Sequence, residues 1–504
     1  MGKTITVYLN DKAVSVPAGT ALKDVLRSES SLPMPCGGHG KCGKCRVFVA
    51  GSVNAPTDEE RRLLSEKELA SGVRLACRVV LNGEARIRTQ EAVSGVRIVS
   101  EGVLPAYEPA PFFTQYGAAI DIGTTTLAAA LYDPSGALLA KTSRMNPESR
   151  WGADVISRME AARAGKRDEI AAVIRGALSD MLGILALEAG VTASAIDAIV
   201  ITGNTVMLSF LYNEDTEPLT HAPFIANRLF GETVTAAFLG LTGPLPETKV
   251  CLPPCAAGFV GADISCAVLS SGLLSSDETA VLVDIGTNGE MVLSHGGELY
   301  ACSTAAGPAF EGAGISMGMN GGDGAVDRVW LKEDGALEAH VIGEGEAKGI
   351  CGSGLVDAVA CLLKNETLDE TGRLEEDPAV ILPPVRLTGK DIRMVQLAKS
   401  AIHAGMRTLI GAAGLTPKDV RCLYIAGGFG NYLDIENAAA IGLIPEELKK
   451  NVRILGNAAL SGASLLLLSK GLQEDVRTLA ERIRIVELSA NPVFADEYME
   501  RMFF

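Results

Sequence analysis

Apolar and polar positions alternate from the first residues onward. Thr4-Ile-Thr-Val-Tyr-Leu9 and Ala13-Val-Ser-Val16 flank the polar Asn10-Asp11-Lys12, a pattern that predicts a β-hairpin. Thr20 stands where it can cap a short helix over Ala21–Leu26. The pattern then predicts a strand over 46–50 and a helix over 57–70 that opens on Thr57-Asp-Glu-Glu60, a capping box. Further strands are predicted over 73–80 and 85–89. Residues 91–116 lose all periodicity and carry Pro105, Pro109 and Pro111, so a linker is expected there.

From Ala118 the texture changes. Ala118-Ala-Ile-Asp121-Ile-Gly-Thr-Thr-Thr126 leads into an apolar run Leu127–Tyr132, a turn Asp133-Pro-Ser-Gly136 and a further run Ala137–Ser143. The same unit recurs as Ala280-Val-Leu-Val-Asp284-Ile-Gly-Thr-Asn-Gly-Glu290, then Met291–Ser294, the turn His295-Gly-Gly297 and Glu298–Ser303. A second echo pairs Ile196–Gly203 with Val420–Gly427, each an apolar run ending on a glycine turn before a helix. Both echoes keep their order, which marks an internal duplication, with about 61 extra residues between the two signatures of the second copy.

Composition narrows the function. The chain has 504 residues, enough for several domains, and 47% of them are hydrophobic. Its net charge of −16 argues against nonspecific binding to nucleic acid. No run of 18 apolar residues is present, and the amino terminus enters a strand at once without targeting character, so a cytoplasmic protein with no membrane segment is expected.

Eleven cysteines are distributed unevenly. Cys36, Cys42 and Cys45 have five and then two residues between them, in a loop rich in Gly and Lys, and Cys77 follows after 31 more. Four thiolates on a glycine-rich loop suit a [2Fe–2S] cluster, although the plant-type pattern has a first gap of four. A disulfide framework fits poorly with an odd cysteine count, and a zinc ribbon would use two CxxC pairs where one is present. Gly38–Lys44 mimics a phosphate loop, but Cys45 stands where Ser or Thr would hold Mg²⁺, and a strand follows instead of a helix. Cys251, Cys255, Cys266, Cys302, Cys351, Cys361 and Cys422 lie mostly in apolar runs and read as small buried hydrophobes.

Each Asp-Ile-Gly-Thr segment is a tight turn between two strands, where N–H and hydroxyl groups can cradle phosphate oxygens. Two such turns face to face would clamp a polyphosphate, with Asp121 and Asp284 flanking a hydrated Mg²⁺. Glu290 is the candidate to position an attacking water or to assist Asp284. Asp263 is a lesser one, equally read as a helix-start residue.

Two resemblances follow from these motifs. Residues 1–90 resemble the [2Fe–2S] ferredoxin domains of β-grasp, α+β fold that use a five-two spacing, which implies Cys36, Cys42, Cys45 and Cys77 as the metal ligands. Residues 117–504 resemble the actin/sugar-kinase/heat-shock-chaperone ATPases, two α/β ribonuclease-H-like lobes around ATP. Lobe one is expected over about 117–278 plus the C-terminal segment, and lobe two over about 279–470. That resemblance implies Gly123, Thr124, Thr125 and Thr126 as the first phosphate motif and Gly286, Thr287, Asn288 and Gly289 as the second. It implies Gly427, Gly428 and Gly430 as the adenosine motif. Gly307–Gly314 and Gly349–Gly354 are further glycine loops with no assigned role.

The combination of both domains resembles one family over nearly the whole chain, the ATP-dependent reductive activators of corrinoid proteins. Asn146-Pro147 and Gly152-Ala-Asp154-Val-Ile also look like a stretch of that family. Membership implies a reductase that passes one electron from its cluster to a Co(II) corrinoid protein of a methyltransferase system, restoring Co(I). The implied partners are that corrinoid protein and a cellular electron donor, and a homodimer is admissible. The alternatives are a small-molecule kinase with a ferredoxin redox sensor, and an electron-transfer module that binds nucleotide without hydrolysing it.

Overall fold

The computed structural model describes residues 4–10, 12–29, 32, 34–89, 102–343 and 345–504. The chain divides into two compact units, Met1–Ser94 with Pro147–Lys166, and Gly95–Asn146 with Arg167–Phe504.

In the first unit the alternation of Thr4–Leu9 buries Ile5, Val7 and Leu9. This strand pairs antiparallel with Lys12–Pro17, the hairpin expected from the pattern, although Asp11 of its turn lies outside the described residues. Thr4–Leu9 also pairs parallel with Val80–Thr89, which crosses from the far end of the domain. Sheet order is Lys12–Pro17, Thr4–Leu9, Val80–Thr89, Arg46–Val53, Val73–Leu75. The helix Leu22–Glu29 starts one residue later than expected because Thr20 and Ala21 pair with the edge of Val80–Thr89.

Two expectations need correction here. The helix predicted over 57–70 is two helices, Asp58–Leu63 and Glu66–Ala70, because Leu64 is extended and Ser65 begins a second capping box with Glu68. The strand predicted over 73–80 is interrupted by a single helical turn, Ala76–Arg78, and the strands expected at its end and over 85–89 are one continuous strand. That turn lifts Cys77 out of the ladder. It is anchored by Ala76, whose N–H donates to the Cys45 carbonyl at 2.8 Å. A buried ion pair braces the strand before it: Arg74 Nε and Nη2 each donate to Glu60 at 2.8 Å, and Glu60 also accepts from the Leu75 N–H at 2.9 Å.

In the second unit the duplication is visible as two six-stranded sheets that share a run of four strands in matching order. The first runs Glu232–Thr235, Lys249–Leu252, Ile196–Gly203, Tyr116–Ile122, Thr126–Tyr132, Leu138–Met145. The second runs Val452–Gly456, Cys422–Ala426, Ala280–Ile285, Gly289–His295, Glu298–Thr304, Ile483–Ile485. In each, an antiparallel meander carries the Asp-Ile-Gly-Thr turn, and the strand of the second echo pairs parallel with its first strand. The extra residues of the second copy include the small sheet Ala325–Leu331, Leu337–Val341, Gly349–Ile350 and the helix Gly352–Lys364, while Gly389–Ala412 stands before its second-echo strand as Arg167–Glu188 does in the first copy.

The C-terminal segment does not join the first sheet as expected. The helix Ala458–Leu468 packs on strands of the first sheet, but Ile483–Ile485 then pairs parallel with Leu299–Ala301 of the second. Helix Pro492–Glu500 packs on Gly389–Ala412 of the same half. The expected linker 91–116 lies outside the described residues up to 101, and its remainder is not a free connector. Ala110 and Phe112 donate from their N–H groups to the Leu468 and Leu467 carbonyls at 3.0 and 2.8 Å, and Phe113 is buried. Apolar Phe112 and Phe113, each a large buried surface, outweigh the prolines that suggested a loose segment.

Among the described residues one stretch, Val155–Glu188, has the length and hydropathy to cross a membrane. It is broken at Gly165, and Ile170, Ile174, Leu178, Leu182 and Leu185 of its second part are buried protein core.

Candidate functional site

In the first unit the loop from Cys36 to Cys45 turns repeatedly through backbone that favours glycine. Gly37, Gly38, Gly40 and Gly43 all have φ between 61° and 84°. These turns bring the thiols into two pairs. Cys45 Sγ donates to Cys77 Sγ at 3.4 Å, both in the apolar core. Cys36 and Cys42, half-buried, form the second hydrogen-bonded pair. The hydrogen bond from Cys42 holds the Cys36 thiol down at about 4, and its counterpart from Cys45 lowers Cys77. Cys42 and Cys45 are pushed up in turn, by those same hydrogen bonds first and burial second. Among the described residues no three such ligands gather about one point. The four thiols stand as two pairs, a donor set that fits the four cysteine ligands of an iron–sulfur cluster. Arg78 donates to the His39 carbonyl and Arg27 to the Gly37 carbonyl at 3.2 Å, so two cations fasten the loop backbone.

In the second unit the two Asp-Ile-Gly-Thr turns face each other across a cavity of about 240 Å³. Thr125 and Thr287 approach with their hydroxyls 3.5 Å apart. Asp121, Asp263, Asp284 and Glu290 line the same space, with Glu311 beside them. Burial pushes Asp121, Asp263 and Asp284 up to about 7, and their mutual charges add to it. Glu290, 8% exposed, is pushed well above the usual carboxylate range by burial first and Asp263 and Asp284 second. No lysine or arginine lines the cavity among the described residues. A polyphosphate could enter this acidic space only together with a cation, which fits the hard oxygen ligands that Mg²⁺ prefers.

The turns themselves are held by asparagines. Asn457 Nδ2 donates to Asp121 Oδ2 at 3.0 Å, and Asn204 Nδ2 donates to Thr124 Oγ1 at 3.1 Å. Asn146 donates from Nδ2 to the Gly123 carbonyl and from its N–H to the Thr125 carbonyl, both at 2.8 Å. Thr287 donates to Glu311. Gly427 sits at φ 91°, and a Cβ there would stand 2.7 Å from Asp284 Oδ1. Phe310 and Phe429 stack with centroids 5.1 Å apart on the cavity wall.

Most residues singled out from the sequence converge. Asp121, Gly123, Thr124, Thr125, Thr126, Asp284, Gly286, Thr287, Asn288, Glu290, Gly427 and Gly428 all line the cavity. Gly289 and Gly430 do not. Gly289 is buried in its strand against Thr304 and Ile402, and Gly430 packs on Ile425, so at both positions a side chain of the protein fills the space beside the glycine. Glu290 is not the solvated strand residue it could have been, and Asp263 faces the cavity. Asn146, Asn204, Asn457, Glu311, Phe310 and Phe429 were not assigned from sequence. The signal for two of them was present, since Gly203-Asn204 and Gly456-Asn457 each end a strand of the repeat and cap the next helix.

This geometry defines an iron–sulfur domain joined to a nucleotide-binding domain of the ASKHA class, and the comparisons with known proteins agree. A profile described as a 2Fe-2S iron-sulfur cluster binding domain matches residues 7–82. One described as the RACo middle region matches 116–276, and one described as the C-terminal domain of RACo, the ASKHA domain, matches 278–504. What reads in sequence as a first ATPase lobe thus coincides with the family's middle region. The chain is 34% identical over 452 residues to the corrinoid activation enzyme RamQ of Eubacterium limosum, spanning 83% of this chain and 74% of that one. It is 29% identical over 407 residues to the [Co(II) methylated amine-specific corrinoid protein] reductase of Methanosarcina barkeri, 73% of each chain. A solved reductive activator for corrinoid, iron-sulfur protein superposes with TM-score 0.73 at 27% identity, covering 99% of this chain and 98% of that one. The chain belongs to the family of reductive activators of corrinoid proteins.

Proposed function

We propose that this chain uses MgATP to drive one electron from a [2Fe–2S] cluster on Cys36, Cys42, Cys45 and Cys77 to the Co(II) of a corrinoid protein, restoring Co(I). The observation that carries the reading is a cavity between the two Asp-Ile-Gly-Thr turns lined by six carboxylates and, among the described residues, no basic side chain, built on the same chain as two thiol pairs. The two thiol pairs support an iron–sulfur cluster, and the cluster supplies a one-electron store.

The chain's own residues do the rest. Asp121 and Asp284 would hold the cation, which would neutralise phosphate charge, and Asn457 orients the Asp121 carboxylate. Thr124–Thr126 and Gly286–Asn288 bind the phosphates from opposite turns. Burial and the neighbouring Asp263 and Asp284 raise Glu290 above the usual carboxylate range, a cation beside it would lower it again, and the ionised carboxylate would then accept a proton from the attacking water. Gly427 and Gly428 let the nucleoside lie against the backbone. Plant-type clusters sit near about −400 mV, and each 100 mV uphill costs about 2.3 kcal/mol per electron, which is why ATP is coupled to the transfer. A cellular reductant reloads the cluster. The setting is cytoplasmic, and a homodimer is compatible with the reading.

The test is anaerobic mixing of the cluster-loaded chain with a Co(II) corrinoid protein and a chemical reductant. Co(I) absorbance is expected to grow only with MgATP. Equal growth with and without ATP would sink the coupling.

A further inference from the structure

The stretch Pro147–Lys166 lies in sequence inside the nucleotide-binding half, between two strands of its first sheet and their covering helix, yet it belongs to the cluster-bearing unit. Its contacts there centre on the residues just before and after Cys36. The Met34 N–H donates to the Ser149 carbonyl at 3.4 Å, and the Ala153 N–H donates to the Pro35 carbonyl at 3.0 Å. Arg150 donates to the Arg27 carbonyl, and Arg27 in turn donates to the Gly37 carbonyl. The Trp151 carbonyl lies 3.1 Å from where a Cβ on Gly37 would stand, and Trp151 is buried.

The stretch is locked on itself by a buried ion pair. Arg158 and Glu148 are both 0% exposed, with Arg158 Nη1 3.1 Å from Glu148 Oε2. Arg158 Nε also donates to the Gly152 carbonyl at 3.0 Å. One guanidinium therefore closes the 148–152 turn whose Ser149, Trp151 and neighbouring Ala153 touch the cluster loop. A buried ion pair is a poor source of stability compared with apolar residues of the same size, so its retention here asks for a role in fixing geometry.

We propose that Glu148–Arg158 is a strap that sets the position of the Cys36 loop, with Arg158 as the positioning residue, and so tunes the reduction potential of the cluster. The potential of such a cluster follows its solvent exposure and the hydrogen bonds to its sulfurs, both of which change if the loop shifts. The strap begins one peptide bond after Asn146, the residue that fastens the first phosphate turn.

The inference rests on the cluster reading, and the experiment separates the two. The full chain is loaded with iron and sulfide and studied as wild type, as E148M/R158M, and as R158K. The double variant replaces the ion pair by apolar side chains of similar volume and leaves no unpaired buried charge. R158K keeps the charge but only part of the hydrogen bonding. Midpoint potential is read by spectroelectrochemical titration, and the g-values of the reduced cluster by electron paramagnetic resonance. Wild-type chain that takes up no two-iron cluster would defeat the cluster reading itself. With the cluster present, shifted g-values and potential in E148M/R158M and an intermediate result in R158K are expected. Wild-type g-values and potential in both variants overturn the strap. Loss of the cluster in the double variant together with unaltered R158K also overturns it, since the pair would then serve folding alone.

Discussion

The crowded carboxylates of the nucleotide cavity fix how divalent-cation binding depends on pH. Asp121, Asp263 and Asp284 sit at about 7, raised chiefly by burial, and burial together with Asp263 and Asp284 raises Glu290 well above the usual carboxylate range. A divalent cation binds the deprotonated carboxylate and so must expel any proton held there. A group with pKa about 7 is about one-tenth deprotonated at pH 6 and about nine-tenths at pH 8. Each carboxyl that has to release a proton therefore tightens binding about tenfold over that interval, or about 1.4 kcal/mol. Mg²⁺ commonly takes one or two carboxylates, so affinity should rise about tenfold to about a hundredfold between pH 6 and 8. Titrating Mn²⁺ into nucleotide-free protein and following the free-ion paramagnetic signal at pH 6, 7 and 8 measures this directly. Asp284→Asn should weaken binding and flatten its pH dependence. Affinity that stays level or falls as pH rises would refute the reasoning. The same groups set the stability of the metal-free chain. Their folded values exceed the ordinary carboxylate value, so the folded state holds more protons than the unfolded one from about pH 4 to about 7. Stability should therefore fall as pH climbs through that window, and a bound cation should reverse the trend.

Three further outcomes follow from named contacts. Cys45→Ser or Cys77→Ser breaks the buried thiol pair and should abolish the visible iron–sulfur spectrum of the anaerobically loaded protein, whereas Cys266→Ser, in a buried apolar site, should leave it intact. Gly427→Ala forces a methyl to 2.7 Å from Asp284 Oδ1 at φ 91° and should cost at least about tenfold in nucleotide affinity, about 1.4 kcal/mol, measured with a fluorescent ATP analogue; wild-type affinity would contradict the close approach. Arg74→Met strands the Glu60 carboxylate, 0% exposed, and should destabilise the cluster unit by about 3–5 kcal/mol in calorimetry, because a lone buried charge is far costlier than the pair.

The parts of this molecule that were legible in its sequence are those where a local pattern suffices. Strand alternation, a turn that must be Gly-Thr, and their repetition from Asp121 to Asp284 place both phosphate turns, and the five-two cysteine spacing places the cluster loop. What stayed hidden depends on contacts between distant residues. Val73–Val80 is mostly apolar, broken only by Arg74 and Arg78, and carries no Gly, Pro or capping residue that would mark the helical turn at Ala76–Arg78. That turn exists because Ala76 is tied to Cys45, 31 positions earlier. Ser65 looks like a helix interior until Leu64 is seen extended. Asn146 and Asn457 meet the first phosphate turn from opposite ends of its unit, and no spacing rule joins them to it. Gly289 and Gly430 lie outside the cavity lining for the converse reason. A glycine inside a ligand motif and a glycine that admits a neighbour's side chain are the same letter, and only the atoms around it decide. The strap at 147–166 is the clearest instance. Its sequence gives no sign of a partner, yet its backbone contacts go to the loop around Cys36. Glu148 and Arg158 lie more than a hundred positions beyond Cys36, and a search for residues that position the cluster loop confined to residues 1–90 would miss both.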